Sequence, residues 1–176
     1  MIRITSETKI TVEDCTDMTI DCKDKIFEHM INTLFFYMNK KVSFQACYDL
    51  RHHLWEDGGI TTGMYLKELI KDKNYARYGT SIIPMDDALV LCCVDISRAY
   101  CEIDIKIKDT EEGFETSLLT EFVGGLCRSL SVTVHLKQLS GYSGHHIIEA
   151  CFKSLGLSLQ QAIKDSSTVF STKGVL

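Results

Sequence analysis

No stretch of this chain is long and apolar enough to cross a bilayer. The longest uninterrupted apolar run, Ala88 to Val94, falls far short of the roughly 20 residues that a spanning helix needs. Nor is there a Lys/Arg cluster, and the formal charge is −5, so nucleic acid and anionic membranes are poor candidates for the main partner. The eight cysteines form no Cys-x-x-Cys pair. Cys92, Cys93, Cys127 and Cys151 fall inside apolar patterns and read as buried, reduced thiols. The opening Met1-Ile2-Arg3-Ile4-Thr5 lacks a basic segment leading into an apolar core. A cytoplasmic protein is expected. Histidine is scarce too, with six in the whole chain, and their placement organises the rest.

Four of the six sit in two short echoes. His52-His53-Leu54-Trp55-Glu56-Asp57 and His145-His146-Ile147-Ile148-Glu149-Ala150 both read H-H-x-x-E, one copy in each half of a 176-residue chain. An internal duplication accounts for this most simply. At 45% hydrophobic the chain can bury a real core but is too short for two large domains, so it reads as one domain of two pseudo-repeats, about 1–79 and 80–176.

On a helix, residues four apart share a face, which pairs His52 with Glu56 and His145 with Glu149. His53 and His146 are turned about a quarter of the way round and address something else. Two ions, each taking a His/Glu pair from one half and the odd histidine from the other, satisfy this geometry. The two remaining histidines, His29 and His135, add one imidazole to each ion. Every ion then has three imidazoles and one carboxylate, with open positions if it is six-coordinate, as a catalytic site needs and a closed structural zinc site lacks. The plainer reading, that paired histidines cap helices or sit on solvated faces, has to explain both the repeat and the two spare histidines.

Residues 2 to 12 alternate as a strand, and a weaker strand runs through Met18, Ile20 and Cys22. Phe27, Met30, Ile31, Leu34, Phe35 and Met38 form a helical stripe with His29 beside it. A strand from Val42 to Cys47 leads into the first H-H-x-x-E and a helix reaching about Lys71. Gly58 and Gly59 weaken that helix, each by roughly 1 kcal/mol relative to alanine, unless another backbone approaches there. The second half gives strands at Ala88 to Asp95 and Tyr100 to Lys108, a helical stripe from Leu118 to Leu130, a strand at Val132 to Lys137 with His135 on its polar face, and a last helix from the second H-H-x-x-E. Each half is therefore expected to be β-β-α-β-α, an α+β fold with two sheets set against a shared helical layer.

These landmarks resemble one family. Arg3-Ile4-Thr5-Ser6-Glu7-Thr8 is similar to an opening R-x-T-x-E-T, Phe27-Glu28-His29-Met30 to F-x-D-H-M, and the two histidine motifs to H-H-x-x-E-D and H-H-x-x-E-A. Arg77-Tyr78-Gly79, Pro84-Met85-Asp86-Asp87-Ala88-Leu89, Val94-Asp95-Ile96-Ser97-Arg98, Phe152-Lys153 and Ser171-Thr172-Lys173-Gly174 follow in matching order. The family is imidazoleglycerol-phosphate dehydratase, of histidine biosynthesis, and the resemblance runs nearly end to end.

The resemblance implies a ribosomal protein S5 domain 2-like fold in each half and a Mn(II) hydro-lyase that converts imidazole glycerol phosphate to imidazole acetol phosphate. It implies that His29, His52, His53, Glu56, His135, His145, His146 and Glu149 ligate two Mn(II) per active site, the set that spacing alone gave. It implies further that Arg77, Arg98, Lys153, Ser171 and Lys173 hold the substrate phosphate, and that trimers pack into a cubic 24-mer with sites at subunit interfaces. Glu7 is the candidate base, from the family's E-T element and its place on a polar strand face. The chemistry suits two ions. Hydroxide leaves poorly and the neighbouring C–H is hardly acidic, but an imidazole bound through both nitrogens loses its proton and can expel the adjacent hydroxyl, after which a base takes the acidified C–H. The chain departs from the family pattern at Thr33, Tyr37, Arg51, Asp87 and Ser143. A dinuclear metal hydrolase and a metal-linked structural oligomer stay open as alternatives, separated from a dehydratase by an assay for ketone formation with and without Mn(II).

Overall fold

The computed structural model describes residues 1–107 and 113–168. The expected periodicities become β1 (Ile2–Ile4), β2 (Thr8–Asp14), β3 (Thr19–Asp21), α1 (Lys25–Tyr37), β4 (Val42–Tyr48) and α2 (Arg51–Ile70) in the first half. The second half has β5 (Tyr78–Met85), β6 (Ala88–Ile96), β7 (Tyr100–Asp104), α3 (Thr116–Leu130), β8 (Val132–Ser140) and α4 (Gly144–Ala162). The duplicated α+β layout holds, with one further strand in each half.

In the first half the alternating segment is a hairpin rather than one strand. The Thr5 hydroxyl accepts the backbone N–H groups of Glu7 at 3.1 Å and Thr8 at 2.9 Å, closing a tight turn between β1 and β2. In the second half the extra strand is β5, which contains Pro84. Proline cannot donate to a ladder, but β5 lies at the sheet edge, where this is tolerated.

The sheets run β1-β2-β4-β3 and β5-β6-β8-β7, the same order twice. In each, the first three strands of that order pair antiparallel and the last pairs in parallel with its neighbour. Helices α2 and α4 pack on the two sheets, α2 crosses α3, and α1 crosses α4, so the helical layer interlocks the halves. Its centre takes one ring from every helix: Phe27, Trp55, Phe122 and Phe152. Phe27 and Trp55 meet edge-on at 5.2 Å, and Trp55 reaches Phe152 at 6.1 Å. Trp55 lies inside the first histidine motif and is 1% exposed, which fixes the rotation of α2 and hence the direction of its histidines.

Close helix crossing explains the glycines after that motif. A Cβ on Gly59 would lie 2.0 Å from the Phe122 carbonyl oxygen, and one on Gly58 would strike the Phe27 ring. Packing of α2 on α3 at Gly59 and on α1 at Gly58 therefore outweighs the propensity cost of both glycines. All eight cysteines are free thiols; Cys22, Cys92, Cys127 and Cys151 are buried, while Cys93, expected to be buried, is half-buried on the other face of β6. Among the described residues, no helix is long and apolar enough to cross a membrane.

Candidate metal centre

Helix α1 starts at Asp24, whose carboxylate accepts the N–H groups of Ile26 and Phe27 at 3.0 Å each. Its first turns carry His29 toward the start of α4. There His29 Nε2 lies 3.0 Å from Glu149 Oε2, and His145 Nε2 lies 3.2 Å from the same oxygen. One ligating atom from each of the three falls within 4.8 Å of the others. Two imidazole nitrogens and a carboxylate oxygen at this separation are a fitting donor set for one divalent cation. Phe114 stacks flat on the His145 ring, with centroids 4.7 Å apart and planes 9° from parallel, and so limits its rotation.

Glu149 is 8% exposed. Burial alone would raise its carboxyl, but hydrogen bonds from Lys153 and His29 outweigh that and hold it below the usual range. It is thus kept ionised, the state a ligand needs. Lys153 Nζ stands 2.8 Å from Glu149 Oε1 and 3.1 Å from Met85 Sδ, beside the Tyr37 ring. The expected phosphate group Lys153 therefore lies directly against this centre.

The second group surrounds His53. Its Nδ1 lies 2.6 Å from Asp49 Oδ1 and its Nε2 3.8 Å from Glu7 Oε2, with the His52 ring 4.1 Å away. Glu7 reaches this position because Asp57, five residues past His52, ties the β1–β2 hairpin to α2. Asp57 accepts Arg3 Nε at 3.0 Å and the Thr8 hydroxyl. Glu56 meets Arg128 of α3 at 2.6 Å. The second-half counterpart of His53 is His146, whose Nδ1 lies 2.5 Å from Asp87 and whose Nε2 lies 3.4 Å from Asp86. His135 is exposed on the outer face of the second sheet, 5.6 Å from the Tyr100 ring. Within one chain, then, His29, His145 and Glu149 converge, while His52, His53, Glu56, His135 and His146 lie outside that triad.

Of the expected phosphate groups, Arg77 grips Asp95 through Nε at 2.7 Å and a terminal nitrogen at 3.1 Å, and Arg98 is exposed. Ser171 and Lys173 lie outside the described residues. Asp49, Asp57, Asp87, Phe114 and Arg128 received no role from the sequence. Asp49 and Asp57 flank the first motif, but nothing local revealed what they would touch.

The model of the imidazoleglycerol-phosphate dehydratase family matches residues 23–159, most of the chain. The chain belongs to that family. As an imidazoleglycerol-phosphate dehydratase it is a hydro-lyase. It is 54% identical over 177 residues to the Pyrococcus furiosus enzyme of that name, covering 100% of both chains, and 41% identical over 189 residues to that of Saccharolobus islandicus, covering 99% and 96%. Its fold superposes on the crystal structure of the Pyrococcus furiosus protein with a TM-score of 0.96 over 100% of both chains. The Staphylococcus aureus dehydratase, at 30% identity, gives 0.83 over 94% of this chain and 98% of that one.

Proposed function

We propose that the chain eliminates water from imidazole glycerol phosphate to give imidazole acetol phosphate, in the cytoplasm and in histidine biosynthesis, using two Mn(II) per active site. The observation that carries the metal part is the meeting of His29, from the first half, with His145 and Glu149 at separations one ion can bridge. His53 and His146, each with a carboxylate on Nδ1, extend the donor set with Nε2, and His52, Glu56 and His135 complete it. His52 and His135 are exposed, which favours completion of the sites where copies of the chain meet, in trimers and the 24-mer they build.

When bound, the ions supply positive charge that acidifies the substrate's imidazole ring and makes its electrons available to expel the neighbouring hydroxyl. This chain's own residues do the rest. Glu7 takes the proton from the carbon next to the departing hydroxyl; its exposure and its 3.8 Å separation from His53 Nε2 support this role. The C–H electron pair forms the C=C bond, the C–O pair leaves with hydroxide, and the enol becomes the ketone by proton shift. Lys153, Arg77, Arg98, Ser171 and Lys173 are proposed to hold the phosphate, Arg98 through a bidentate fork, lysine as a point charge, and Arg77 with its guanidinium already held in place by Asp95.

The test is ketone formation from imidazole glycerol phosphate by protein stripped with a chelator and then supplied with Mn(II). Activity lost on stripping and restored by the ion is expected. Undiminished activity after complete metal removal would refute the metal part, and no ketone under either condition would refute the substrate.

A further inference from the structure

The two halves hold their second histidines with carboxylates drawn from different places. In the first half, Asp49 sits four residues before His53, in the connection from β4 to α2. Its Oδ1 lies 2.6 Å from His53 Nδ1 and accepts the Leu50 N–H at 2.6 Å. In the second half the residue four before His146 is Tyr142, which carries no carboxylate. The contact is made instead by Asp87, from the turn between β5 and β6. Asp87 Oδ1 lies 2.5 Å from His146 Nδ1, and its Oδ2 accepts the N–H groups of Tyr142 at 2.6 Å and Ser143 at 3.2 Å. One carboxylate thus grips both the imidazole and the backbone entering α4.

An ionised carboxylate can only accept a hydrogen bond, so a neutral imidazole turns its proton to the nearer one: Asp49 at 2.6 Å and Asp87 at 2.5 Å face Nδ1, against Glu7 at 3.8 Å and Asp86 at 3.4 Å on the Nε2 side, which leaves the Nε2 lone pair available. Metal-binding histidines are commonly oriented this way, and losing the outer partner typically costs about 10–100-fold in metal affinity.

We propose that Asp49 and Asp87 are positioning residues that share one task from non-equivalent places: each fixes its histidine, His53 or His146, as the Nδ1–H tautomer with Nε2 presented to a metal ion. The proposal rests on the reading of these two histidines as ligands. It also explains an asymmetry between the hairpin turns. In the first half the turn carboxylate Glu7 is released from holding His53 by Asp49 and is free for proton transfer; in the second half Asp87 is committed to holding. The two aspartates should differ in what else they stabilise. Asp49 anchors a histidine and one N–H, whereas Asp87 also fixes the two-residue approach to α4.

The tautomers of His53 and His146 can be read by magic-angle-spinning ¹⁵N NMR of metal-free, histidine-labelled protein at a pH above the usual histidine range, and Mn(II) affinity by titration of the same samples. The variants are Asp49→Ala, Asp87→Ala, Asp87→Asn and Asp87→Glu. Wild type is expected to show Nδ1–H at both histidines. Each alanine variant should lose that preference at its own histidine only and bind Mn(II) about 10–100-fold more weakly. Asp87→Asn keeps the volume and an acceptor for the backbone if the alanine variant does not fold. Its amide donates to His146 Nδ1 and should switch that ring to Nε2–H. Asp87→Glu should restore both tautomer and affinity. Unchanged tautomers with affinity within about twofold of wild type would overturn the proposal, leaving Asp87 a cap for α4 and no more. If wild type takes up no Mn(II), the ligand reading fails, and the tautomer spectra still decide whether the aspartates position the rings.

Discussion

His29 Nε2 and Glu149 Oε2 stand 3.0 Å apart although 120 residues of chain separate them, and the contact crosses from the first half to the second. The same buried carboxylate is shared with His145 and Lys153. Replacing Glu149 by alanine should strip the ion from this triad and abolish turnover, with metal content and ketone formation as readouts. Circular dichroism should remain native, since α4 is anchored elsewhere by Ile147, Ile148 and Phe152. Retained metal content would remove Glu149 from the ligand set.

Glu7 offers a sharper separation of roles. It lies 3.8 Å from His53 but, among the described residues, makes no structural side-chain bond of the kind Asp57 makes, so Glu7→Gln should leave metal content and thermal midpoint near wild type. Loss of general-base catalysis typically costs about 10²–10⁴-fold, and the loss should fall on kcat. A variant that keeps most of its kcat would exclude Glu7 as the base.

Lys173 lies beyond the described residues, and its proposed role in phosphate binding stands on the Ser-Thr-Lys-Gly motif. Lys173→Ala should raise KM strongly while the metal sites stay filled, because a phosphate contact contributes binding and not ligation. Inductively coupled plasma analysis beside steady-state kinetics measures both; unchanged KM would reject the assignment.

Helix crossing at Gly59 gives a stability prediction with no catalytic component. A Cβ there would sit 2.0 Å from the Phe122 carbonyl oxygen, which is backbone and cannot swing aside. Gly59→Ala gains helix propensity of about 1 kcal/mol but forces α2 and α3 apart, an overpacking cost of typically 1–3 kcal/mol or more. A lower urea midpoint is expected. A higher one would show that the crossing is more pliable than its distances indicate.

The Arg77–Asp95 pair should impart acid sensitivity. Burial acts to raise the Asp95 carboxyl, but hydrogen bonds from Arg77 and Ser97 outweigh it and leave the group below its usual range. A carboxyl depressed in the folded state stabilises fully above its unfolded pKa of about 3.9, and that contribution drains away as pH falls through this value toward the folded one. The midpoint difference between wild type and Asp95→Asn should therefore shrink between about pH 6 and pH 3. A constant difference across that range would mean that the pair contributes nothing linked to ionisation.

Much of this was legible in the chain because its signals are local. The 3.6-residue stripes placed α1, α3 and α4, and the doubled H-H-x-x-E marked the fold as duplicated and singled out His145 and Glu149, which meet His29. The two glycines after the first motif were readable as a place of backbone approach; at Gly59 Phe122 supplies that backbone, while at Gly58 it is the Phe27 ring that comes close. Other features depend on partners distant in sequence. Alternation in residues 2–12 is the same for one strand and for a hairpin, and the Thr5 hydroxyl decides between them. Pro84 hid β5, since only its position at the sheet edge makes the residue acceptable. Glu56 has the right spacing from His52, yet spacing could not reveal Arg128, brought to 2.6 Å by the crossing of α2 and α3. Likewise, no periodicity tells Asp87 that its histidine will be 59 residues away.

The crossing of α1 over α4 also bears on how such a protein can have changed since its ancestral gene doubled. Once one copy's leading helix supplied an imidazole to the other copy's final helix, neither copy could be discarded, exchanged or allowed to drift without dismantling its sibling. Splitting the gene between β4-α2 and β5 should thus give two fragments that recover activity only when they are mixed and refold around one another.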